Sequence, residues 1–347
     1  MAECKYEITI YTSCCNTSKG IYYATLDTEK KTISEPKPVV GLQSPTYMKV
    51  TNKKTLVSVA KKDDLGGIAA FDAKNSTFTF YDEALTPGAN PCYVGFDEKR
   101  QLIFTANYHK GQIDVYKINA DQTLSLTDTV KDEGNGPRPE QDSAHVHYTD
   151  LAPDGRLIAV DLGNDTVSTY DVSDEGKLSL VSVFKTEPGF GPRHIVFAHN
   201  SNYAYLAGEL SSNLSVLKYD AKTGCFSLEQ TVKTIPSTWT EHNGAAAIRI
   251  SADDRFVYVS NRGHNSLAQF EIHDDHMVDF VAFVSTEGDF PRDFDIDPTG
   301  RFVVCVNQNT DNGTLYERNE ETGKLTRIQK DIVVPEGVCV CFADIND

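Results

Sequence analysis

Apolar and polar residues alternate along this chain in short runs, and one run recurs. Glu7–Thr12, Leu56–Ala60, Leu102–Ala106, Leu157–Val160, Tyr203–Ala207, Phe256–Ser260 and Phe302–Val306 are brief apolar strands, each closed by a small or polar residue. The closing residues Ser13, Ala60, Asn107, Asp161, Gly208, Asn261 and Asn307 are spaced by 47, 47, 54, 47, 53 and 46 residues. A period of about 50 residues is that of propeller blades. Within each unit a first strand follows a Pro (Pro45, Pro91, Pro192, Pro291), and a turn such as Pro153–Asp154–Gly155–Arg156 leads into the recurrent second strand. A third strand ends in an aromatic, as in Val167–Tyr170 and Leu267–Phe270, and a fourth follows, as in Leu178–Phe184. These are strand and hairpin signals, and helical periodicity is nearly absent.

The pattern predicts an all-β, seven-bladed β-propeller with four antiparallel strands per blade. The ends predict how the ring closes. Val333–Ala343 supplies a first strand with no second strand after it, and Glu7–Thr12 a second strand with no first before it. Pairing the N-terminal strand into the C-terminal blade removes two open sheet edges. Two β-sandwich domains are the competing arrangement, but no Pro/Gly/Ser linker interrupts the middle of the chain, so residues 1–347 are read as one domain.

Composition narrows the partners. The 347 residues carry a formal net charge of −17, which argues against a nucleic-acid backbone or an anionic membrane as main partner. No apolar run is long enough for a membrane span. The N-terminus shows neither a basic leader nor an apolar stretch, so a cytoplasmic location is expected. Of the eight cysteines, Cys4, Cys14, Cys15, Cys92, Cys225, Cys305, Cys339 and Cys341, none has CxxC spacing. They read as small buried side chains in the reduced state, with Cys339 and Cys341 facing the same side of a strand.

Propeller geometry gathers the candidate chemistry. The start of the innermost strand and the end of the second open on the same face, so those positions converge on one funnel. The strand-start ring is Thr46, Cys92, His147, Arg193, Ala246 and Arg292, with a seventh member near Val338. The strand-end ring is Asn107, Asp161, Glu209, Asn261 with Arg262, and Asn307 with Gln308. Converging arginines suit a carboxylate or phosphate, because the planar guanidinium donates parallel hydrogen bonds. The competing role is blade-to-blade pairing with Asp161 or Asp293. Glu209 follows the strand end beside Arg193, where it could act as a general base or as a plain salt-bridge partner. His145 and His147 point to one side of an extended strand. HxH is a metal-compatible spacing, but no third ligand is identifiable, so no metal or other cofactor is expected and acid–base or hydrogen-bonding imidazoles are preferred. By alternation His194 turns away from the channel, toward the neighbouring blade. The two longer repeats place extra residues in 134–142 and 236–244, both before a first strand on the funnel face, and the second carries His242 and Trp239.

The stretches Gly189–Phe197 (GFGPRHIVF), Leu206–Leu210 (LAGEL), Asp150–Gly163 (DLAPDGRLIAVDLG), Ile250–Gly263 (ISADDRFVYVSNRG) and Phe290–Pro298 (FPRDFDIDP) resemble the seven-bladed lactonase family over essentially the whole chain. That family contains the propeller-type 6-phosphogluconolactonases and the fungal carboxymuconate lactonizing enzymes. The resemblance implies hydrolysis of 6-phosphogluconolactone to 6-phosphogluconate, or formation and opening of a related lactone. It also implies a place in carbohydrate metabolism, in the pentose phosphate pathway. The family's proposed active-site residues fall on His147, Arg193, Glu209 and Arg262. The chain departs from the family pattern at Arg249, where a His is common, and at Phe197–Ala198–His199, which replaces FHP.

The leading expectation is a metal-independent lactone hydrolase. His147, Arg193, Glu209 and Arg262 are its catalytic candidates, and His145, Arg292, Asn107, Asn307, Gln308 and His242 line the substrate, a small anionic molecule. A muconate-type cycloisomerase acting on a dicarboxylate, or a non-catalytic anion-binding or scaffold propeller, would use the same funnel. Oligomeric state is not legible.

Overall fold

The structure, a computed structural model, describes residues 5–13, 17–74 and 77–343. The readings of Cys4, Cys14 and Cys15 lie outside these residues. Seven antiparallel sheets make up the protein, and six of them are four strands taken in sequence order. These six blades span residues 48–87, 93–131, 146–185, 192–233, 244–285 and 291–333, and are numbered 1 to 6 below. Blade 7 draws on both ends of the chain. Its strands are Gly337–Cys341, Lys5–Ser13, paired antiparallel to it, and then Ile21–Asp27. The expected single outer strand is replaced by two short ones, Thr32–Ile33 and Lys37–Val40, both paired to Ile21–Asp27. Pro36 and Pro38 interrupt this edge, since a proline has no N–H for the ladder.

The innermost strands Met48–Val50, Tyr93–Asp97, Val146–Leu151, Pro192–Phe197, Gly244–Ile250, Pro291–Ile296 and Gly337–Cys341 pack side by side in that order, the last against the first. They approach so closely that a Cβ on Gly95 would lie 1.9 Å from the Thr149 carbonyl oxygen, so that site takes only glycine. Second strands are covered on both faces by neighbouring blades. Leu102–Asn107 is accordingly buried at every position, which is why these runs read as continuous apolar segments rather than alternating ones. Outer strands face solvent on one side and alternate. They carry most of the large exposed apolar side chains, including Phe80, Leu126, Leu180, Leu228, Phe280 and Val333. The hairpin between the inner two strands of blade 3 turns on Gly155 at φ +84°, a left-handed conformation that glycine adopts without strain. The 134–142 insertion holds a short 3-10 turn, Pro139–Gln141, whose buried Gln141 donates from Nε2 to the Leu162 carbonyl at 2.9 Å.

Of the described cysteines, Cys305 and Cys339 are buried and Cys92 and Cys341 half-buried, all as free thiols. Cys225 departs from the expectation of burial, because it opens the outer strand of blade 4 and is exposed.

Candidate active site

In blades 3 to 7 the inner strand begins with an irregularity that alternation alone does not reveal, and in three of them the extra residue carries a titratable or charged side chain. In blade 3, Val146 pairs with Asp161 but Tyr148 pairs with Val160, so His147 is an extra residue opposite no partner. The same step isolates Arg193 between Pro192 and His194 in blade 4, and Arg292 between Pro291 and Asp293 in blade 6. Each is a β-bulge, which bends the strand and re-aims a side chain. The chain thus delivers an imidazole and two guanidinium groups to one mouth of the channel.

Blade 4 supplies the counter-charge. Its second strand ends at Gly208, and Glu209 turns sharply, its N–H donating to the Gly191 carbonyl at 2.7 Å. Glu209 Oε2 then lies 2.9 Å from Arg193 Nε and 2.8 Å from Arg262 Nη2, so one carboxylate oxygen bridges two arginines from adjacent blades. Arg262 is held further by the Gly244 and Ala245 carbonyls, each at 3.3 Å, and lies 5.2 Å over the Phe290 ring. Glu209, Arg262, His147 and Arg292 line a cavity of ≈ 350 Å³ together with Cys92 and Tyr108. Thr46 lines it as well, with a hydroxyl that has no hydrogen-bond partner. Among the described residues no carboxylate pairs with Arg292, and Asp293 is paired with Arg249 rather than with a funnel arginine.

The electrostatics follow from this crowding. Burial by itself would raise the Glu209 carboxyl, but Arg262 and Arg193 outweigh it and hold the group below its ordinary value, as a carboxylate. Burial first, then the charges of Arg193, Arg292 and Arg262, hold the His147 imidazole well below 6.5. It is therefore neutral at physiological pH. Its Nδ1 is buried without a partner. Burial, and then Arg262, pull the Arg193 guanidinium down to about 9, against the opposing pull of Glu209, which leaves it a cation at neutral pH. Burial pushes the Cys92 thiol up to about 11, so it stays protonated rather than becoming a nucleophile.

The remaining sequence candidates occupy other positions. His145 does not line the cavity. Its ring stacks on Tyr108 with centroids 4.1 Å apart, and its nitrogens lie 2.8 Å from the Tyr108 carbonyl and 2.9 Å from Asp142 Oδ1. Both ring nitrogens are thereby engaged, which leaves HxH unavailable as a ligand pair. Among the described residues, no three His, Cys, Asp or Glu side chains converge as a metal site would require. Asn107 and Asn307 are buried, lie outside the cavity lining and donate to the Ala89 and Thr286 carbonyls, both at 2.8 Å, so they tie the second strands of blades 2 and 6 to the segments that follow the preceding blades. Gln308 is half-buried and lies outside the cavity lining, and His242 is exposed in the 236–244 loop. His194 does not turn toward the neighbouring blade. The bulge at Arg193 resets the alternation, and the His194 ring sits in the channel 5.1 Å from His147 and 5.1 Å from Tyr93. Tyr108 and His109, which sequence reasoning passed over, line the funnel. Tyr108 follows its strand-closing Asn107 as Glu209 follows Gly208 and Arg262 follows Asn261, so the position after the closing residue was the available signal.

Comparison with known proteins agrees with the seven-bladed fold. The profile of the family described as "Lactonase, 7-bladed beta-propeller" matches residues 6–342. The chain belongs to the seven-bladed β-propeller lactonase family. Within reach of it is a 6-phosphogluconolactonase of Bacillus subtilis, 41% identical over 331 residues that cover 94% of this chain and 95% of the relative. A crystal structure of a protein from Lactobacillus plantarum superposes with a TM-score of 0.96 at 54% identity, covering 98% of this chain and 99% of that one. The periplasmic gluconolactonase of Pseudomonas aeruginosa superposes with a TM-score of 0.91 at 28% identity, covering 98% and 99%. No helix among the described residues is long and apolar enough to cross a membrane.

Proposed function

We propose that this lactonase-family protein hydrolyses a sugar-acid lactone of the 6-phosphogluconolactone type in the funnel. The observation that carries the reading is the charge imbalance there: Arg262 and Arg292 line the cavity and Arg193 is buried against its single carboxylate, Glu209, beside a neutral imidazole whose buried Nδ1 has no partner. Such a site holds unspent positive charge and a base.

The chemistry divides among the residues as follows. Glu209 is clamped between two guanidinium groups and weakly basic for that reason, so its work is to orient them. Arg193 and Arg262 donate their remaining N–H groups to the lactone carbonyl, and these bonds strengthen as the oxygen becomes an oxyanion in the tetrahedral intermediate. The neutral His147 imidazole accepts a proton from the attacking water and returns it to the ring oxygen as the ester C–O bond breaks. Arg292, without a carboxylate of its own, takes the anionic end of the substrate. Water and lactone are consumed and a hydroxy acid is released, with no cofactor in the balance.

The test is background-corrected hydrolysis of 6-phosphogluconolactone by wild type and by Arg193→Met and His147→Gln variants. Loss of one oxyanion donor is expected to lower kcat by about 10²- to 10³-fold. Wild-type rates in both variants, or no turnover by wild type above the spontaneous rate, overturn the reading. A dicarboxylic muconate in the same panel separates hydrolysis from cycloisomerisation.

A further inference from the structure

His194 has no part in the mechanism above, yet it is buried among aromatic rings beside the funnel. It is 3% exposed. Its ring lies edge-on or tilted to Tyr47, Tyr93 and Tyr148 at 6.0, 5.1 and 5.7 Å, and to His147 at 5.1 Å. A residue of blade 4 thus reaches across the channel to blades 1, 2 and 3. It stands between the funnel and a second cavity of ≈ 540 Å³, which it lines from the other side. Its one polar contact within the site is Nε2 at 3.4 Å from Arg193 Nη1. A guanidinium can only donate, so Nε2 is the acceptor and the ring proton belongs on Nδ1.

We infer that His194 is a positioning residue for lactone opening: it fixes the Arg193 guanidinium by accepting from Nη1, and it walls the His147 ring on the side away from the substrate. The inference rests on the lactonase reading. Arg193 has two restraints, an ion pair with Glu209 at Nε that lacks hydrogen-bond alignment and the His194 acceptor at Nη1, set on different edges of the guanidinium plane. Removing one lets the plane rotate about the other. The donors then no longer meet the position of the oxyanion, although the cation and the fold remain. Packing against three tyrosines requires only an aromatic of this size, whereas the contact to Arg193 requires an acceptor.

Three variants separate the two demands. His194→Phe keeps an aromatic ring and removes the acceptor; His194→Met removes it without a ring, and stands in should the phenylalanine variant not fold; His194→Gln restores an amide oxygen near Nε2. Kinetics on 6-phosphogluconolactone, thermal unfolding, and calorimetry with 6-phosphogluconate are measured for each. In the variants without an acceptor, kcat is expected to fall about 10- to 100-fold with KM changed far less, and the glutamine variant to recover most of it. Full kcat in the phenylalanine or methionine variant overturns the inference and leaves the lactonase reading standing. So does a glutamine variant as slow as the others whose loss follows its unfolding temperature. Absence of turnover in wild type overturns the lactonase reading instead. Calorimetry then decides on Arg193 alone: weaker 6-phosphogluconate binding in the phenylalanine or methionine variant, restored by glutamine, supports the fixing of Arg193, and equal affinity refutes it.

Discussion

The two ends of the central channel are built from the same residue types and do opposite things. At the starts of the inner strands, Arg193 and Arg262 share Glu209, while Arg292 has no carboxylate among the described residues. At the far ends of the same strands, around the larger cavity, Arg249 meets both Asp293 at 2.9 Å and Asp295 at 3.0 Å, and Lys49 pairs with Asp150. The carboxylates there are also spent on backbone: Asp293 accepts from Val340 N at 3.0 Å and Asp295 from Phe342 N at 3.3 Å. Arg249 therefore latches blade 5 to blade 6, and its two aspartate partners latch blade 6 to the C-terminal strand. Cations in excess leave binding capacity for an anion, and cations saturated by carboxylates leave none. An arginine in a concave site is informative only once its partners have been counted.

Substitution at each end should separate catalysis from architecture. Arg249→Met leaves a buried carboxylate, Asp293, and a half-buried one, Asp295, without their shared cation, and the expected loss is about 3 kcal/mol of stability with kcat per folded molecule unchanged. Chemical denaturation alongside active-site titration checks this; a stable but inactive variant would erase the distinction between the ends. Next in size, Arg292→Gln should raise KM for a phosphorylated lactone about tenfold and for its unphosphorylated counterpart much less, because only the former places an anion at that guanidinium. Equal effects on both substrates would remove Arg292 from substrate binding.

The pH response is a finer test. Glu209 is held below its ordinary value, so the stability its ionised form contributes is complete at neutral pH and is lost only as acidification passes through that lowered value. Asp295 is shifted the other way, raised by burial against the pull of Arg249, so its charge costs stability at neutral pH and acidification relieves that cost. His147, lowered by burial and three arginines, remains an unprotonated base well below pH 6.5. Activity should accordingly change less than about twofold between pH 7 and pH 6 on the acid limb, where an unperturbed histidine would lose more than half. A limb centred near 6.5 in the pH–rate profile would contradict the arrangement of charge described here. Smallest of all, His242→Ala should leave kcat/KM within about twofold, as expected for an exposed loop residue away from the cavity; a large loss would show that the 236–244 loop closes over the substrate.

Much of the fold was legible because burial is periodic. A second strand covered on both faces must be apolar throughout, so seven such runs at a nearly constant spacing announce seven blades. The cluster of Arg193, Glu209 and Arg262 was legible for a related reason: repeats bring equivalent positions to one face. The outer edge of blade 7 was less so, since two prolines divide it where a single strand was expected. Asn107 and Asn307 were less legible because the end of a strand offers polar side chains two uses. Here the nearby backbone carbonyls of Ala89 and Thr286 capture both amides.

Chain periodicity alone determined the number of sheets, the order of strands within them and the face on which candidate side chains gather, because each of these depends on which residues must leave water. Tertiary structure decided the rest. A bulge adds one residue without altering composition or hydropathy, yet it turned His194 into the channel and placed His147, Arg193 and Arg292 at its mouth. Whether an arginine is spent or free depended on carboxylates that only ring geometry brings near: Asp293 and Asp295 lie more than forty residues from Arg249 in sequence and within hydrogen-bonding distance in space.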